Sequence, residues 1–269
     1  MMEYRLISVL GLFAMVATAW AISQKRKLFP WRAVIWGIGL QYAFALLILR
    51  TEAGHAVFDF TGRAIQKLIQ FSNEGCKFVF GPLADSDLLA KQFGAENNLI
   101  FAILVVGTII IVASLSSLFY HWGVLQKIVQ AFAWVMRKAM RTSGSETLSA
   151  AANIFMGQTE APLLIKPYIP RMTRSELMCM MTGGMATIAG GVAAVYAKLG
   201  IDAGHTDMPG HLLTASVLSA PAALLISKVM LPETERSETA GAAAVAVPRT
   251  TVNSIDALCR GASDGMMLS

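Results

Sequence analysis

Long apolar runs separated by short polar stretches set the pattern of this chain. Four runs read as membrane spans: Leu6–Ile22, Trp31–Leu49, Leu99–Phe119 and Met208–Leu231. Each approaches the roughly 20 residues that a helix needs to cross a hydrocarbon layer about 30 Å thick. A fifth run, Ser175–Leu199, is apolar but interrupted by Gly183-Gly184 and Gly190-Gly191, which predicts a broken helix. Two other stretches are mixed. Within Val57–Phe80, Phe58, Ile65, Leu68, Ile69 and Phe71 are interleaved with Arg63, Lys67 and Glu74; within Val124–Met140, Leu125, Ile128, Val129, Phe132, Val135 and Met136 stand against Gln126, Lys127 and Arg137. Both have the period of amphipathic helices lying in a membrane interface.

Leu148–Ile169 fits neither pattern. It is too apolar for a polar loop, yet it holds Asn153, Gln158, Thr159 and Glu160 together with the helix-disturbing Gly157, Pro162 and Pro167. Folding it at Gly157–Ala161 gives two half-length helices, Glu146–Met156 and Ala161–Ile169. At about 9 to 11 residues and 1.5 Å rise each, they reach the bilayer middle and return. Arg141, Lys166, Arg171 and Arg174 then flank both feet of a re-entrant hairpin on one side. The expected fold is all-α: a polytopic membrane protein with interfacial helices, one re-entrant helical hairpin and a discontinuous transmembrane helix. Its expected divisions are 1–144 for scaffold spans and interfacial helices, 145–200 for the hairpin and broken helix, 201–232 for a further span, and 233–269 for a cytoplasmic linker followed by the start of an amphipathic helix.

Composition supports this reading, with 55% hydrophobic and 14% charged residues and a mean hydropathy of +0.56, whereas soluble domains carry about a quarter charged residues. The net charge of +5 comes from short basic clusters beside apolar runs, which is the topogenic pattern of membrane loops and not a nucleic-acid surface. Lys25, Arg26, Lys27 and Arg32 fill one tight loop without an acid, assigning that loop to the cytoplasm and the N-terminus to the outside of an inner membrane. The later loops agree. Trp122–Ser145 carries Lys127, Arg137, Lys138 and Arg141, and Gly200–Pro209 has no Lys or Arg. The first run is followed by the basic cluster and by no small-x-small cleavage site, so it reads as a helix and not a signal peptide. Cys76, Cys179 and Cys259 have neither disulfide nor zinc spacing, and His55, His121, His205 and His211 are equally scattered.

The chemistry concentrates at the hairpin bend. Backbone without helical partners is tolerated at membrane depth only where it is buried in protein or lines a wet cavity, so a ligand site is expected there. An acid at that depth costs about 2.5–3.5 kcal/mol on insertion scales, and Glu160 therefore calls for a partner. The partner is either a polar substrate or, structurally, Lys166 or another helix. The Gln158 amide, the Thr159 hydroxyl and the Glu160 carboxylate suit a ligand with several hydroxyls or ring nitrogens, such as a base and a ribose. Unwinding at Thr187-Ile188, ahead of Ala189-Gly190-Gly191, would free carbonyls. With those around Asn153 and Met156 they are hard donors for a small cation such as Na⁺. The alternative role for these glycines is close helix packing. No nucleophile–base pair, phosphate loop or second carboxylate accompanies Glu160, which argues against an enzyme.

Two motifs carry a resemblance. Asn153-Ile-Phe-Met-Gly157-Gln158-Thr159-Glu160-Ala161-Pro162-Leu163, followed by Met185-Ala-Thr187-Ile188-Ala-Gly190-Gly191-Val192, resembles the concentrative nucleoside transporter family, with supporting similarity at Phe71–Gly81 and Leu231–Glu235. The resemblance implies cation-coupled nucleoside symport, with Gly157, Gln158, Thr159, Glu160 and Val192 at the nucleobase. It places Na⁺ at Asn153, Met156, Thr187 and Ile188, largely through backbone oxygens. It further implies nucleosides such as uridine and adenosine as substrates, Na⁺ as coupling ion with H⁺ in some similar members, and a homotrimer in the bilayer. Family members continue into a second hairpin that supplies the ribose contacts, so this chain is expected to be an incomplete form, inactive alone. A non-transporting assembly or regulatory subunit is the competing expectation.

Overall fold

In a computed structural model the protein is described over residues 2–94, 100–158, 161–240 and 251–268. The helices are α1 (Met2–Ala21), α2 (Trp31–Arg50), α3 (Glu52–Phe80), α4 (Ser86–Phe93), α5 (Phe101–His121) and α6 (Val124–Met140). They continue with α7 (Gly144–Ala152), α8 (Ala161–Leu164), α9 (Arg174–Ala186), α10 (Gly190–Asp202), α11 (Met208–Met230) and α12 (Ser254–Leu268). No strand occurs among the described residues, and the fold is that of an all-α polytopic membrane protein with a re-entrant hairpin and a discontinuous helix. Among the described residues α2 and α11 are each long and apolar enough to cross a membrane, while Val105–His121 and Val124–Met140 pass that test only as one pair bent by 77°. The bend follows from Gly123 at φ 75°, whose amide closes on Tyr120 O and ends α5, after which the amphipathic α6 starts afresh.

The chain divides into two compact units, one of Met1–Leu46, Val129–Ile188 and Ser216–Val247 and one of Leu47–Ile128, Ala189–Ala215 and Pro248–Ser269. In the second unit α3 buries Ile69, Ser72 and Cys76, a helical stripe at three- and four-residue spacing, and leaves Phe60, Phe71 and Phe78 exposed. Helix α12 packs along α5 through glycines. A Cβ on Gly261 would lie 2.6 Å from Ala113 O, and one on Gly265 would lie 2.9 Å from Ile110 Cα. This is the small-xxx-small device by which membrane helices approach backbone to backbone. Cys76 and Cys179 are buried free thiols and Cys259 is an exposed one.

Candidate functional site

Three helix ends in the first unit hold the hairpin. Helix α7 opens with a capping box: the Ser143 amide donates to Glu146 Oε1 at 2.7 Å. Helix α9 opens with a second, where Thr173 N donates to Glu176 Oε2 at 2.8 Å and Glu176 N donates to Thr173 Oγ1 at 3.1 Å. Acids at helix N-termini meet unpaired amides and the positive end of the macrodipole, so both carboxylates have a local reason to be there. Lys228, in the last turn of α11, brings the matching cation: its Nζ lies 2.7 Å from Glu146 Oε2, with both side chains buried. It also donates to Ser175 Oγ at 2.9 Å and sits 3.5 Å from Glu233 Oε2.

The segment after α11 closes the same ends. Ser237 Oγ donates to Glu176 Oε1 at 2.5 Å, and the Gly144 amide donates to Thr239 O at 3.1 Å. The expected linker is therefore packed structure at its start, with Ser237 and Thr239 buried; its remainder, 241–250, lies outside the described residues. Sequence reasoning missed Glu146, Glu176 and Lys228. The signals were present as two Ser/Thr-x-x-Glu boxes and a lysine inside an apolar span.

From this base α7 is buried from Ser145 onward and ends at Ala152, capped by Asn153, four residues short of the expected arm end at Met156. The chain then tightens, as Phe155 N bonds Ala152 O at 3.0 Å and Ile154 N bonds Ala151 O at 3.3 Å. The return arm is also shorter than expected. Only Ala161–Leu164 is α-helical, followed by turns such as Tyr168 N to Ile165 O at 2.8 Å. Pro162 is accommodated in the first turn of α8, whereas Pro167 lacks the amide that a continued helix requires. Phe155 is braced edge-on by Phe132 at 6.3 Å, and Phe132 in turn by Phe44 at 5.7 Å.

Helix α9 lies against this tip. A Cβ on Gly183 would stand 3.3 Å from Asn153 Nδ2 and 3.9 Å from Ala150 Cα, and one on Gly184 would stand 2.9 Å from Gln158 Cβ. The Gly183-Gly184 pair, expected to interrupt the broken helix, is instead helical and permits this close approach. The interruption runs over Thr187, Ile188 and Ala189, with Gly190 opening α10. Thr187 is extended, at φ −121° and ψ 157°, and its hydroxyl donates to Gly183 O at 3.0 Å, which leaves its oxygen lone pairs available.

Of the expected site residues, Asn153, Gly157, Gln158, Thr187 and Ile188 are thus carried by one unit, and α9 touches both Asn153 and Gln158. Asn153 is fully buried, and among the described residues neither end of its amide has a hydrogen-bond partner; the buried Ser149 hydroxyl one turn earlier is also unpartnered. Met156 N bonds Ala152 O at 2.9 Å. Val192 lies in the first turn of α10 in the other unit, 41% exposed. Thr159 and Glu160 lie outside the described residues.

Three family profiles cover successive stretches: "Na+ dependent nucleoside transporter N-terminus" over residues 10–83, "Nucleoside recognition" over 102–202, and "Na+ dependent nucleoside transporter C-terminus" over 211–269. The chain belongs to the concentrative nucleoside transporter family. Among curated relatives of this family member, sodium/nucleoside cotransporter 2 of Rattus norvegicus is 39% identical over 265 residues, covering 98% of the chain and 38% of that protein. Sodium/nucleoside cotransporter 1 of Homo sapiens is 41% identical over 234 residues, covering 87% of the chain and 33% of that protein. A structure of CNTnw in an inward-facing substrate-bound state superposes with a TM-score of 0.86 at 36% identity, covering 98% of this transporter-family chain and 60% of that one. An outward-facing CNTnw variant superposes with a TM-score of 0.87. The relatives are integral membrane transporters and not enzymes, and the chain spans well under half the length of the curated ones.

Proposed function

We propose that this chain carries the nucleobase half of a Na⁺-coupled nucleoside symport site in an inner membrane. Residues 145–200 form the moving half, with the N-terminus outside and a homotrimer as the assembly. Gly157, Gln158, Thr159 and Glu160 bind the base beside Val192, with uridine and adenosine in the substrate class. The observation that carries the reading is the buried Asn153 amide with both ends unpartnered, packed on α9 one turn before that helix unwinds. An unsatisfied buried polar group costs about 1–3 kcal/mol, which a ligand offsets. An amide oxygen, a hydroxyl oxygen and free carbonyls form a hard donor set that suits Na⁺. Asn153, Met156, Thr187 and Ile188 would hold the ion, and its charge would let the neighbouring tip accept a polar substrate. The relatives' names, sodium/nucleoside cotransporters, support the same coupling ion.

Asparagine carries no titratable proton, so this site favours ion coordination over the proton-coupled alternative. The test is uptake of labelled uridine and adenosine into proteoliposomes under a Na⁺ gradient or a pH gradient. It uses this chain and a chain of the relatives' length carrying the same residues. Na⁺-dependent uptake by the longer chain supports the proposal. Uptake that follows only the pH gradient overturns the coupling ion, and absence of uptake under either gradient overturns the function.

A further inference from the structure

At the start of the chain, two helices face each other across an apolar groove. Phe13, Val16 and Trp20 recur along α1 at three- and four-residue spacing, and Trp31 and Ile38 lie on one face of α2; with Phe29 they line a cavity of about 460 Å³. Trp20 is 45% exposed, Trp31 68% and Phe13 63%, so the groove is open along its length. Its mouth is aromatic, with Phe29 and Trp31 edge-on at 4.7 Å.

The loop between the two helices carries Lys25, Arg26 and Lys27 and no acid, and Arg32 follows in the first turn of α2. The loop is held in place. Trp20 Nε1 donates to Arg26 O at 3.1 Å, the Arg26 guanidinium donates to Ala21 O at 2.6 Å, and Gln24 N donates to Met230 O at 3.1 Å. Lys25 Nζ donates to Thr234 Oγ1 at 3.3 Å, and Arg32 Nε donates to Ala139 O at 3.1 Å. The Ala21 bond occupies one of the five guanidinium donors of Arg26, and the exposed Lys27 stands beside it.

An apolar slot, an aromatic rim and a fixed cluster of cations at its end match the three parts of one molecule: acyl chain, glycerol region and phosphate. Basic pockets beside membrane helices recognise anionic headgroups by this arrangement. We propose that the α1–α2 groove is a binding site for an anionic phospholipid, with an acyl chain along Phe13, Val16 and Ile38 and the headgroup phosphate on Arg26 and Lys27. The site is separate from the nucleoside half-site and stands whether or not the transport reading does.

The test uses the full chain in vesicles containing a minor fraction of phosphatidylglycerol or phosphatidylcholine brominated in the acyl chains. Tryptophan quenching is measured, and the contribution of Trp20 and Trp31 is isolated by difference from a chain in which both are Phe. Brominated phosphatidylglycerol should quench these residues at lower mole fraction than brominated phosphatidylcholine. The preference should fall roughly 5-fold for each charge removed in Lys27→Gln and Lys27→Gln/Arg26→Gln, corresponding to about 1 kcal/mol per basic residue. Lys27→Gln keeps the hydrogen bond of Arg26 to Ala21, so its loss of preference reports on charge and not on loop structure. Equal quenching by both lipids, a preference unchanged in the variants, or protection of both tryptophans from either lipid because protein covers the groove would each overturn the proposal.

Discussion

Lys228 is the position at which the structure makes its sharpest energetic statement. Its ammonium lies 2.7 Å from a Glu146 carboxylate whose side chain is 1% exposed, while Lys228 itself is 7% exposed. Lys228→Met keeps most of the stem but leaves Glu146 buried without its cation and removes a donor from Ser175. Removing one partner of a buried ion pair costs about 3–5 kcal/mol, because the remaining charge stays desolvated. For a chain of this size each kcal/mol shifts the unfolding temperature by about 2–4 °C, so the midpoint should fall by roughly 6–20 °C. The assay is thermal unfolding in detergent micelles at fixed heating rate, followed by helical circular dichroism. Glu146→Gln in the Lys228→Met background separates charge from packing. Glutamine still serves the capping box, so the double variant should recover more than half of the loss. A single variant as stable as the parent, or a double variant no better than the single, would refute the claim that the helix bases are tied by charge.

Other expectations follow from contacts of the same kind. Gly184→Val drives a side chain into Gln158, where even a Cβ would lie 2.9 Å from Cβ. Overpacking of about 1–3 kcal/mol should weaken nucleoside binding by a relatives-length chain roughly 5- to 150-fold, as read by equilibrium dialysis, and unchanged affinity would separate α9 from the tip. Gly261→Leu should part α12 from α5 and lower stability by about 1–3 kcal/mol, measured by denaturant titration in micelles. Asp85, the N-cap of α4, is held below the usual carboxylate range chiefly by the Leu88 amide, with Lys77 and the Asp87 amide adding to this. A lowered folded value means that the cap is intact above the ordinary Asp range near pH 3.9 and is lost as pH falls through the lower folded value. The protection factor at Leu88, its exchange rate referred to the intrinsic rate at each pH, should therefore hold at neutral pH and fall only in acid.

Much of the fold was legible because the membrane imposes length and polarity on each span. The expected Trp31–Leu49, Val124–Met140 and Met208–Leu231 match α2, α6 and α11 to within a residue at each end. The broken helix was visible in its glycines, but composition could not say that Gly183-Gly184 packs inside a helix while the break itself falls at Thr187–Ala189. Gly183-Gly184 turned out to be the packing pair because α7 and Gln158 lie against it, a relation between segments that no local pattern encodes. The return arm was overestimated because Pro167 limits it more than its hydropathy suggests. The charge lattice at the helix bases was hidden for a related reason: Ser145 meets Thr239 across 94 residues and Glu176 meets Ser237 across 61. Asn153 and Gln158 were legible through the motif, and the unpartnered state of the Asn153 amide needed the structure.

The central claim is that a cation and a nucleoside share the hairpin tip and the unwound helix. Its most direct measurement is calorimetric titration of uridine into a chain of the relatives' length, in Na⁺ and in choline buffer, for the parent and for Asn153→Leu. Na⁺ should tighten uridine binding in the parent, and Asn153→Leu, which replaces the amide by an apolar side chain, should remove most of that Na⁺ dependence. Uridine affinity that ignores Na⁺ in the parent, or a Na⁺ dependence that survives Asn153→Leu intact, would contradict the claim.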